Sequence, residues 1–156
     1  MKFQTTHWKC GPACVRNTLR TFGIKVSEDY LTNLCGTTKD GTDEHGIMYA
    51  LRDQGMIATE YFSNSKKHAW QWLHGTLLHG EAVILCVQAW EHWVVCIGTG
   101  PDNRVTIIDS SNFKYNIAEN GVHLWTKARL MEQWWNARKS VPNEEKRLYA
   151  ISVKKK

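Results

Sequence analysis

The chain has 156 residues, of which 42% are hydrophobic, so it can bury one well-packed core and is too short for two ordinary domains. The net charge of +5 at pH 7 comes from scattered lysines and arginines, which argues against a nucleic-acid partner. The longest apolar stretch, Ala82 to Val87, is far shorter than the roughly 20 residues that cross a bilayer, and the N-terminal residues lack the apolar segment of a signal peptide. We therefore expect a single domain over residues 1–156 that is cytoplasmic and has no membrane partner.

Cysteine usage points to the same compartment. The five cysteines are an odd number and lack the close spacing of a disulfide framework. Three of them, Cys35, Cys86 and Cys96, have apolar neighbours in the sequence. Free, buried thiols of this kind fit a reducing compartment.

Helical patterns fill the first half of the sequence. Cys10-Gly11-Pro12 predicts a helix start because proline is favoured in the first turn, and Gly23 lies where a C-cap belongs. Cys10 is therefore expected at a helix N-terminus. Further helices are predicted from the cap Ser27 to Gly36, from about Asp43 to Gln54 and from about Lys67 to His79.

The spacing of hydrophobic residues becomes that of strands in the second half. Short β-branched runs separated by turn-forming residues predict consecutive antiparallel strands at residues 82–87, 92–97 and 105–109. Helices followed by strands indicate an α+β fold in which two layers meet at a cleft. The remaining predicted elements are a strand near residues 57–62, a helix around 126–137 and a closing strand over 148–153.

Cys10 is the candidate nucleophile. A cysteine attacks as the thiolate, and the N–H groups and dipole of a helix N-terminus favour negative charge there. Cys10 is the one cysteine that the predicted helices place in such a position. The alternative is that Cys10 is only a small residue that fills a tight turn.

A predicted hairpin supplies a base and an acid. If its turn is centred between Gly100 and Pro101, His92 lies directly opposite Asp109, and the next pairs on the same face are apolar. Cross-strand partners have Cβ atoms roughly 5 Å apart, so Asp109 can accept a hydrogen bond from the imidazole and fix its tautomer. A shift of one residue would move Asp109 to the other face. The alternative is a His–Asp pair with a purely structural role.

Gln4 is the candidate oxyanion donor. Attack on an acyl carbon creates an oxyanion that needs donors already directed at it. The side-chain amide of Gln4 can supply one such donor, and the backbone N–H of Cys10 can supply another.

A family resemblance begins in the N-terminal run from Gln4 to Cys14. This run contains Cys10-Gly11-Pro12 and is followed by Phe22-Gly23. It resembles the opening of the bacteriocin-processing, double-glycine leader peptidases, a papain-like family in which a glutamine lies six residues before a Cys-Gly pair. The resemblance extends over nearly the whole chain. It continues through Gly41-Thr42, Ala50-Leu51, Gly55, His92 to Val95, Ile107 to Asp109, the stretch from Leu130 to Trp135, and Tyr149 to Ile151.

This resemblance implies a papain-like cysteine peptidase fold, with N-terminal helices packed on an antiparallel sheet and the active site in the cleft between them. It matches Cys10 to the family's nucleophile, His92 to its base, Asp109 to its orienting acid and Gln4 to its oxyanion-hole glutamine. All four residues are present, which argues against a degenerate binding domain.

Three positions depart from the pattern of that family. Lys9 stands where an acidic residue often precedes the cysteine, and Glu81 stands where a proline often opens the central strand. Ser110 stands where a proline often follows the aspartate. None of the three removes a group that the chemistry needs.

Aromatic residues near the proposed catalytic groups are candidates for substrate binding. Trp8, Trp90 and Trp93 each lie within three residues of one of these groups, so one or more of them can line a substrate groove. The alternative for each is packing in the core.

A metal site is the main rival to the nucleophile. His7, Cys10, Cys14 and His92 offer zinc-type ligands, but the spacing His-x-x-Cys-x-x-x-Cys differs from that of common zinc modules. We therefore expect no metal and no other cofactor.

The sequence thus predicts a cysteine peptidase that hydrolyses a peptide or related amide bond of a peptide or protein substrate through a thioester. Two alternatives stay open. The same thioester supports a thiol-dependent acyltransferase or deamidase, and a non-catalytic peptide-binding module of the same fold is the competing class. The sequence pattern contains no signal for the oligomeric state.

Overall fold

The structure, a computed structural model, describes residues 3–88, 91–111, 121–135 and 147–156. Within these ranges five α-helices accompany one six-stranded sheet, and none of the helices is both long and apolar enough to cross a membrane. The helices are α1 (Cys10–Thr21), α2 (Glu28–Leu34), α3 (Glu44–Asp53), α4 (Lys66–Leu78) and α5 (Lys127–Trp134). The strands are β1 (Met56–Tyr61), β2 (Ala82–Val87), β3 (His92–Thr99), β4 (Val105–Ile108), β5 (Val122–Trp125) and β6 (Ala150–Lys155).

The first helices begin and end at the residues that signal them in the sequence. Ser27 Oγ accepts a hydrogen bond from Tyr30 N at 3.2 Å, and Asp43 Oδ1 accepts one from Gly46 N at 2.8 Å. Each side chain thereby satisfies an N–H group of a first helical turn that has no intrahelical partner. Gly23, which follows α1, has a φ of 82°, a left-handed value that glycine adopts without strain. The four helices predicted in the first half are confirmed to within two residues at each end.

The strands of the second half are also confirmed, with differences at their ends. β2 coincides with its prediction, β3 continues to Thr99, and β4 ends at Ile108. β6 begins at Ala150 because Leu148 has a left-handed φ of 52°, which is not compatible with a strand. The helix predicted over 126–137 is observed up to Trp134, and its last two predicted residues lie outside the described ranges. The sequence pattern does not predict β5.

The sheet is covered on both faces. Its strand order is β1-β6-β2-β3-β4-β5, and each neighbouring pair is antiparallel. One hydrophobic cluster packs α1, α2 and α3 on one face, and a second packs α4 and α5 on the other. The expectation of two layers is therefore corrected to three, because Trp70, Leu73 and Leu77 of α4 pack against the face opposite α1. Every residue of the central strand β2 is buried as a result.

The predicted register of the β3–β4 hairpin is wrong by two residues near the site. The observed pairs are Val95 with Ile108 and Thr99 with Val105, so Asp109 does not lie directly opposite His92. The loop is centred on Asp102, whose φ is 59°, later than the predicted Gly100-Pro101 turn. A β-bulge between Cys96 and Gly98 then removes one residue of the resulting shift. Between the bulge and the site the net shift is even, so the side chains there stay on their predicted faces.

Candidate active site

Cys10 occupies the position that a thiolate nucleophile needs. It is the first residue of α1 and is only 6% exposed. Lys9, at the N-cap, makes no side-chain hydrogen bond to the helix in the described part of the chain. The N–H groups of the first turn can therefore interact with negative charge on the Cys10 sulfur.

A close contact fixes the start of α1 against the strand that carries His92. A Cβ atom built on Gly11 would lie 2.5 Å from Thr42 Oγ1, so the approach of α1 to Thr42 requires glycine. The carbonyl of Thr42 accepts a hydrogen bond from Trp93 Nε1 at 3.0 Å. Because Trp93 follows His92 in β3, this contact connects the segment of the candidate nucleophile to that of the candidate base.

His92 and Asp109 form a direct pair. His92 Nε2 donates a hydrogen bond to Asp109 Oδ1 at 2.8 Å, and the two side chains are 12% and 15% exposed. The backbone N–H of Ser111 donates a second hydrogen bond to Asp109 Oδ1 at 2.9 Å. The pair forms despite the register shift because Asp109 follows the end of β4 on the same face as His92, within reach of the imidazole.

The two groups shift each other's protonation. Burial lowers the pKa of His92, but hydrogen bonds to Asp109 and Cys10, together with their charges, outweigh burial and raise this pKa from 6.5 to about 9. Burial raises the pKa of Asp109, but the hydrogen bond and charge of His92 outweigh it and lower this pKa below its ordinary value. At neutral pH the pair is therefore an imidazolium held by a carboxylate.

His92 also contacts the candidate nucleophile. The Cys10 side chain is among the groups that raise the pKa of His92, so it lies within interaction range of the imidazole. The order Cys10, His92, Asp109 is that of a nucleophile, a proton carrier and an orienting acid. Such an arrangement can support acyl transfer to a thiolate.

Gln4 lies beside this group in a buried position. Its backbone N–H donates to the carbonyl of Ser110 at 2.9 Å, and the residue is 4% exposed. Its Oε1 accepts a hydrogen bond from Ser110 Oγ at 2.9 Å, while its Nε2 donates to the carbonyl of Thr6 at 2.7 Å. The structure therefore brings Gln4 next to the residue that follows Asp109.

The other cysteines have surroundings unlike those of Cys10. Cys14 is buried one turn further along α1, and its thiol donates to the carbonyl of Trp93 at 3.0 Å. Burial, together with the charges of Cys10 and Asp109, raises the pKa of Cys14 well above its ordinary value. Burial also raises the pKa of Cys35 and of Cys96 to about 12. These thiols stay protonated and poorly nucleophilic at neutral pH.

The three tryptophans selected from the sequence have different positions. Trp8 is half-buried and contacts His7 edge to face, with ring centroids 4.9 Å apart. Trp93 is 5% exposed and packs against Tyr149 in the core, which favours a packing role over a groove-lining role. Trp90 lies outside the described residues.

The structure gives the zinc alternative no ligand set. Among the described residues, no group of three or more His, Cys, Asp or Glu side chains has the geometry to hold a metal ion. His7 is exposed, and the thiol of Cys14 is engaged with a backbone carbonyl.

Two residues hold the site together in ways that the sequence pattern does not predict. Thr42 lies against Gly11, and Ser110 bonds to Gln4 across a separation of 106 residues. Gly11 after the nucleophile is a signal for close approach by another segment, but it does not indicate which one. Nothing in the sequence pattern pairs Ser110 with Gln4.

Solved structures share the fold of this chain. It is similar to the peptidase domain of Streptococcus ComA, a bifunctional ABC transporter involved in a quorum-sensing pathway, with a TM-score of 0.73, 19% identity and coverage of 99% of this chain and 97% of that one. It is also similar to a double-glycine motif protease from an AMS/PCAT transporter in complex with its leader peptide, with a TM-score of 0.72, 15% identity and coverage of 99% and 89%. The mixed helical and antiparallel arrangement is thus the papain-like fold of these peptidase domains.

Sequence comparisons assign the family. An uncharacterised protein of Methanothermobacter marburgensis is 36% identical over 55 residues, which are 35% of this chain and 39% of that protein. The match thus spans about two-fifths of the length of the curated relative. A family model described as the peptidase C39 family matches residues 1–133. This match covers α1 to β5 and nearly all of α5, including all four candidate site residues, and by it the chain belongs to the peptidase C39 family.

Proposed function

We propose that this chain is a cysteine peptidase that hydrolyses a peptide bond through a Cys10–His92–Asp109 triad. One observation carries the proposal: His92 is hydrogen-bonded to Asp109 at 2.8 Å, and Cys10, the first residue of α1, is close enough to help raise the pKa of this imidazole. Membership of the peptidase C39 family supports the reaction class.

In the first half of the reaction, the Cys10 thiolate attacks the carbonyl carbon of the scissile bond and forms a tetrahedral oxyanion. The Nε2 group of Gln4 and the backbone N–H of Cys10 donate hydrogen bonds to that oxyanion. The His92 imidazolium gives its proton to the leaving amine, the C–N bond breaks, and a thioester to Cys10 remains.

In the second half, His92 accepts a proton from a water molecule, and the resulting hydroxide attacks the thioester carbon. A second oxyanion forms and collapses with release of the Cys10 thiolate and the carboxylic acid product. Asp109 holds the imidazole in one orientation and stabilises its positive charge in both halves. No cofactor takes part in this sequence of steps.

The proposed substrate is a peptide or a peptide segment of a protein. The protease of the AMS/PCAT transporter, which shares the fold, was solved with its leader peptide and is a double-glycine motif protease. A Gly-Gly peptide is therefore the first substrate to test. Trp8, which is half-buried and two residues before Cys10, is the tryptophan that we propose as a wall of the groove.

The experiment compares the wild-type protein with Cys10→Ala. Both are incubated with a fluorogenic peptide that ends in Gly-Gly-aminomethylcoumarin, and separately with a cell extract in which new protein termini are identified by mass spectrometry. We expect termini that appear only with the wild type. Cys35→Ala is the matched control, because Cys35 is a buried thiol with a pKa of about 12, and it should cleave like the wild type.

Cleavage by Cys10→Ala at the wild-type rate would contradict the proposed nucleophile. A thioester at Cys10 without new termini would instead indicate attack on a side-chain amide with release of ammonia. The mass of the modified substrate then distinguishes transfer of the acyl group to an amine from deamidation. Absence of any reaction of Cys10 with a thiol-directed probe at neutral pH would favour a binding module.

A further inference from the structure

The amide of Gln4 is held at both of its polar atoms. Its oxygen Oε1 accepts a hydrogen bond from Ser110 Oγ at 2.9 Å, and its nitrogen Nε2 donates one to the carbonyl of Thr6 at 2.7 Å. Gln4 and Ser110 are 4% and 0% exposed. A primary amide carries two N–H groups, and among the described residues the one hydrogen bond from Gln4 Nε2 goes to the carbonyl of Thr6. One N–H group is thus left for a ligand.

These contacts select one of the two orientations of the amide. A half-turn about the last bond of Gln4 would place Oε1 against the carbonyl of Thr6, where two acceptors repel each other. In the observed orientation the Ser110 hydroxyl satisfies Oε1, which has little access to water. Loss of that hydroxyl would leave a buried acceptor without a donor, so the amide would have a reason to move.

The position of Ser110 in the chain connects this amide to the triad. Ser110 directly follows Asp109, and its carbonyl also accepts the backbone N–H of Gln4 at 2.9 Å. One short segment therefore holds the base through Asp109 and the amide through Ser110. Any shift of this segment would move both groups together.

We propose that Ser110 is a positioning residue that holds the Gln4 amide with an N–H of Nε2 directed at the tetrahedral oxyanion. The inference rests on the proposed function, because it requires Gln4 to bind the oxyanion. Ser110 itself does not touch the substrate in this proposal and acts only through Gln4.

A double-mutant cycle on the full chain tests the inference. The rate of cleavage of the Gly-Gly-aminomethylcoumarin peptide is measured for the wild type, Ser110→Ala, Gln4→Ala and the double variant. We expect Gln4→Ala to lower kcat about 100-fold, the usual effect of losing an oxyanion donor. Ser110→Ala should lower kcat about fivefold with KM nearly unchanged, because one neutral hydrogen bond is lost and only the transition state needs the aligned donor.

The decisive comparison is the effect of Ser110→Ala in a chain that already lacks Gln4. If Ser110 acts through Gln4, the additional loss of kcat there should vanish. Ser152→Ala, which removes another buried serine hydroxyl from β6, is the control and should keep the wild-type kcat.

The outcomes separate this inference from the proposed function. An equal loss of kcat from Ser110→Ala with and without Gln4 would overturn the positioning role and leave Gln4 as the donor. An unchanged kcat in Ser110→Ala would overturn it as well. An unchanged kcat in Gln4→Ala would overturn the oxyanion role of Gln4 and the inference that depends on it.

A measurement on the wild-type protein does not depend on the folding of any variant. The two side-chain amide protons of Gln4, assigned by their absence in Gln4→Ala, should give separate, sharp NMR signals with different rates of exchange with water. Two rapidly exchanging signals at the shifts of a solvent-exposed glutamine would show that the amide is not held and would overturn the inference.

Discussion

Cys10 and Cys14 lie one helical turn apart on α1 and have opposite surroundings. Cys10 lies close to His92 at the N-terminus of the helix, where negative charge is favoured. The Cys14 thiol donates to the carbonyl of Trp93, and burial raises its pKa. The same residue type is thus suited to attack at one position and to packing at the next turn.

The exchange Cys14→Ala should cost stability and little rate. It removes a buried sulfur and its hydrogen bond, so we expect a loss of about 1 kcal/mol in the free energy of unfolding. Urea denaturation measures this loss, and the cleavage rate of the Gly-Gly peptide should stay near that of the wild type. Low concentrations of iodoacetamide should label Cys10 in both proteins. Preferential labelling of Cys14 would show that the nucleophile is misassigned.

The exchange Asp109→Asn should keep the fold and lower the cleavage rate. The amide no longer stabilises the imidazolium and can favour the wrong tautomer of His92. Because the hydrogen bond and charge of Asp109 raise the pKa of His92, their loss should lower that pKa from about 9. The alkaline limb of the pH–rate profile, where His92 loses its proton, should therefore move to lower pH.

This effect should be smaller than that of removing Cys10 or His92, since the orienting acid takes no part in bond making. The control is Asp102→Asn, which changes an exposed carboxylate in the loop between β3 and β4 and should leave the profile unchanged. A wild-type rate with an unshifted profile in Asp109→Asn would show that Asp109 is not the third member of the triad.

At the scale of elements, the β3–β4 hairpin shows what a sequence pattern can and cannot supply. Turn-forming residues and alternating apolar residues were sufficient to predict the two strands and the face that His92 and Asp109 share. They were not sufficient for the register, because the left-handed Asp102 and the bulge after Cys96 depend on how the strands twist against their neighbours. The pairing of His92 with Asp109 was predicted for a partly wrong geometric reason.

The layers of the fold were also only partly predictable from the sequence. The continuous apolar run of β2 is typical of a strand buried on both faces, and the apolar face of α4 could have been assigned to the second face. The sequence did not predict β5, because only Trp125 of its four residues is buried. This edge strand therefore lacks the alternation of apolar and polar residues that marks a half-buried strand. Long-range contacts such as Ser110 with Gln4 have no local signal at all.

The start of α1 supports a prediction about two glycines. In Gly11→Ala the new Cβ would lie 2.5 Å from Thr42 Oγ1, so α1 must move away from Thr42. We expect a loss of roughly 1–2 kcal/mol in the free energy of unfolding and a lower cleavage rate, because the displaced turn carries Cys10. The matched control is Gly75→Ala in α4, where a Cβ meets nothing within 4 Å.

Gly75→Ala should stabilise the protein by about 0.5–1 kcal/mol, since alanine costs less backbone entropy than glycine in a helix. Thermal or urea denaturation of the two variants gives the comparison, in which helix propensity is matched and only the contact with Thr42 differs. Equal stability changes in the two variants would mean that the contact between Gly11 and Thr42 does not limit the packing of α1.

At the scale of the whole molecule, the site joins segments that are far apart in the chain. Glu28 and Arg16 form a buried ion pair at 3.0 Å, and each also holds the N-terminal segment. Thr5 N donates to Glu28 Oε1 at 3.2 Å, and the Arg16 guanidinium donates to the carbonyl of Phe3 at 3.0 Å. Gln4 therefore lies between two anchored residues, and its position depends on the packing of α1 against α2. The geometry of the proposed site and the stability of the fold are coupled through this packing.

The last prediction concerns the pH dependence of that stability. The pKa of His92 is raised to about 9 in the folded protein, so its contribution is complete below its unfolded pKa of roughly 6.5 and is lost as the pH rises through 9. The pKa of Asp109 is lowered, so its contribution is present above its unfolded pKa of roughly 4 and is lost as the pH falls further. The free energy of unfolding should thus fall between pH 6.5 and 9, by up to roughly 3 kcal/mol from His92 alone. Urea denaturation of the wild type and of Asp109→Asn across this range measures this fall. The free energy of unfolding of the variant should fall clearly less. Parallel curves for the two proteins would show that the His92–Asp109 pair does not stabilise the folded state.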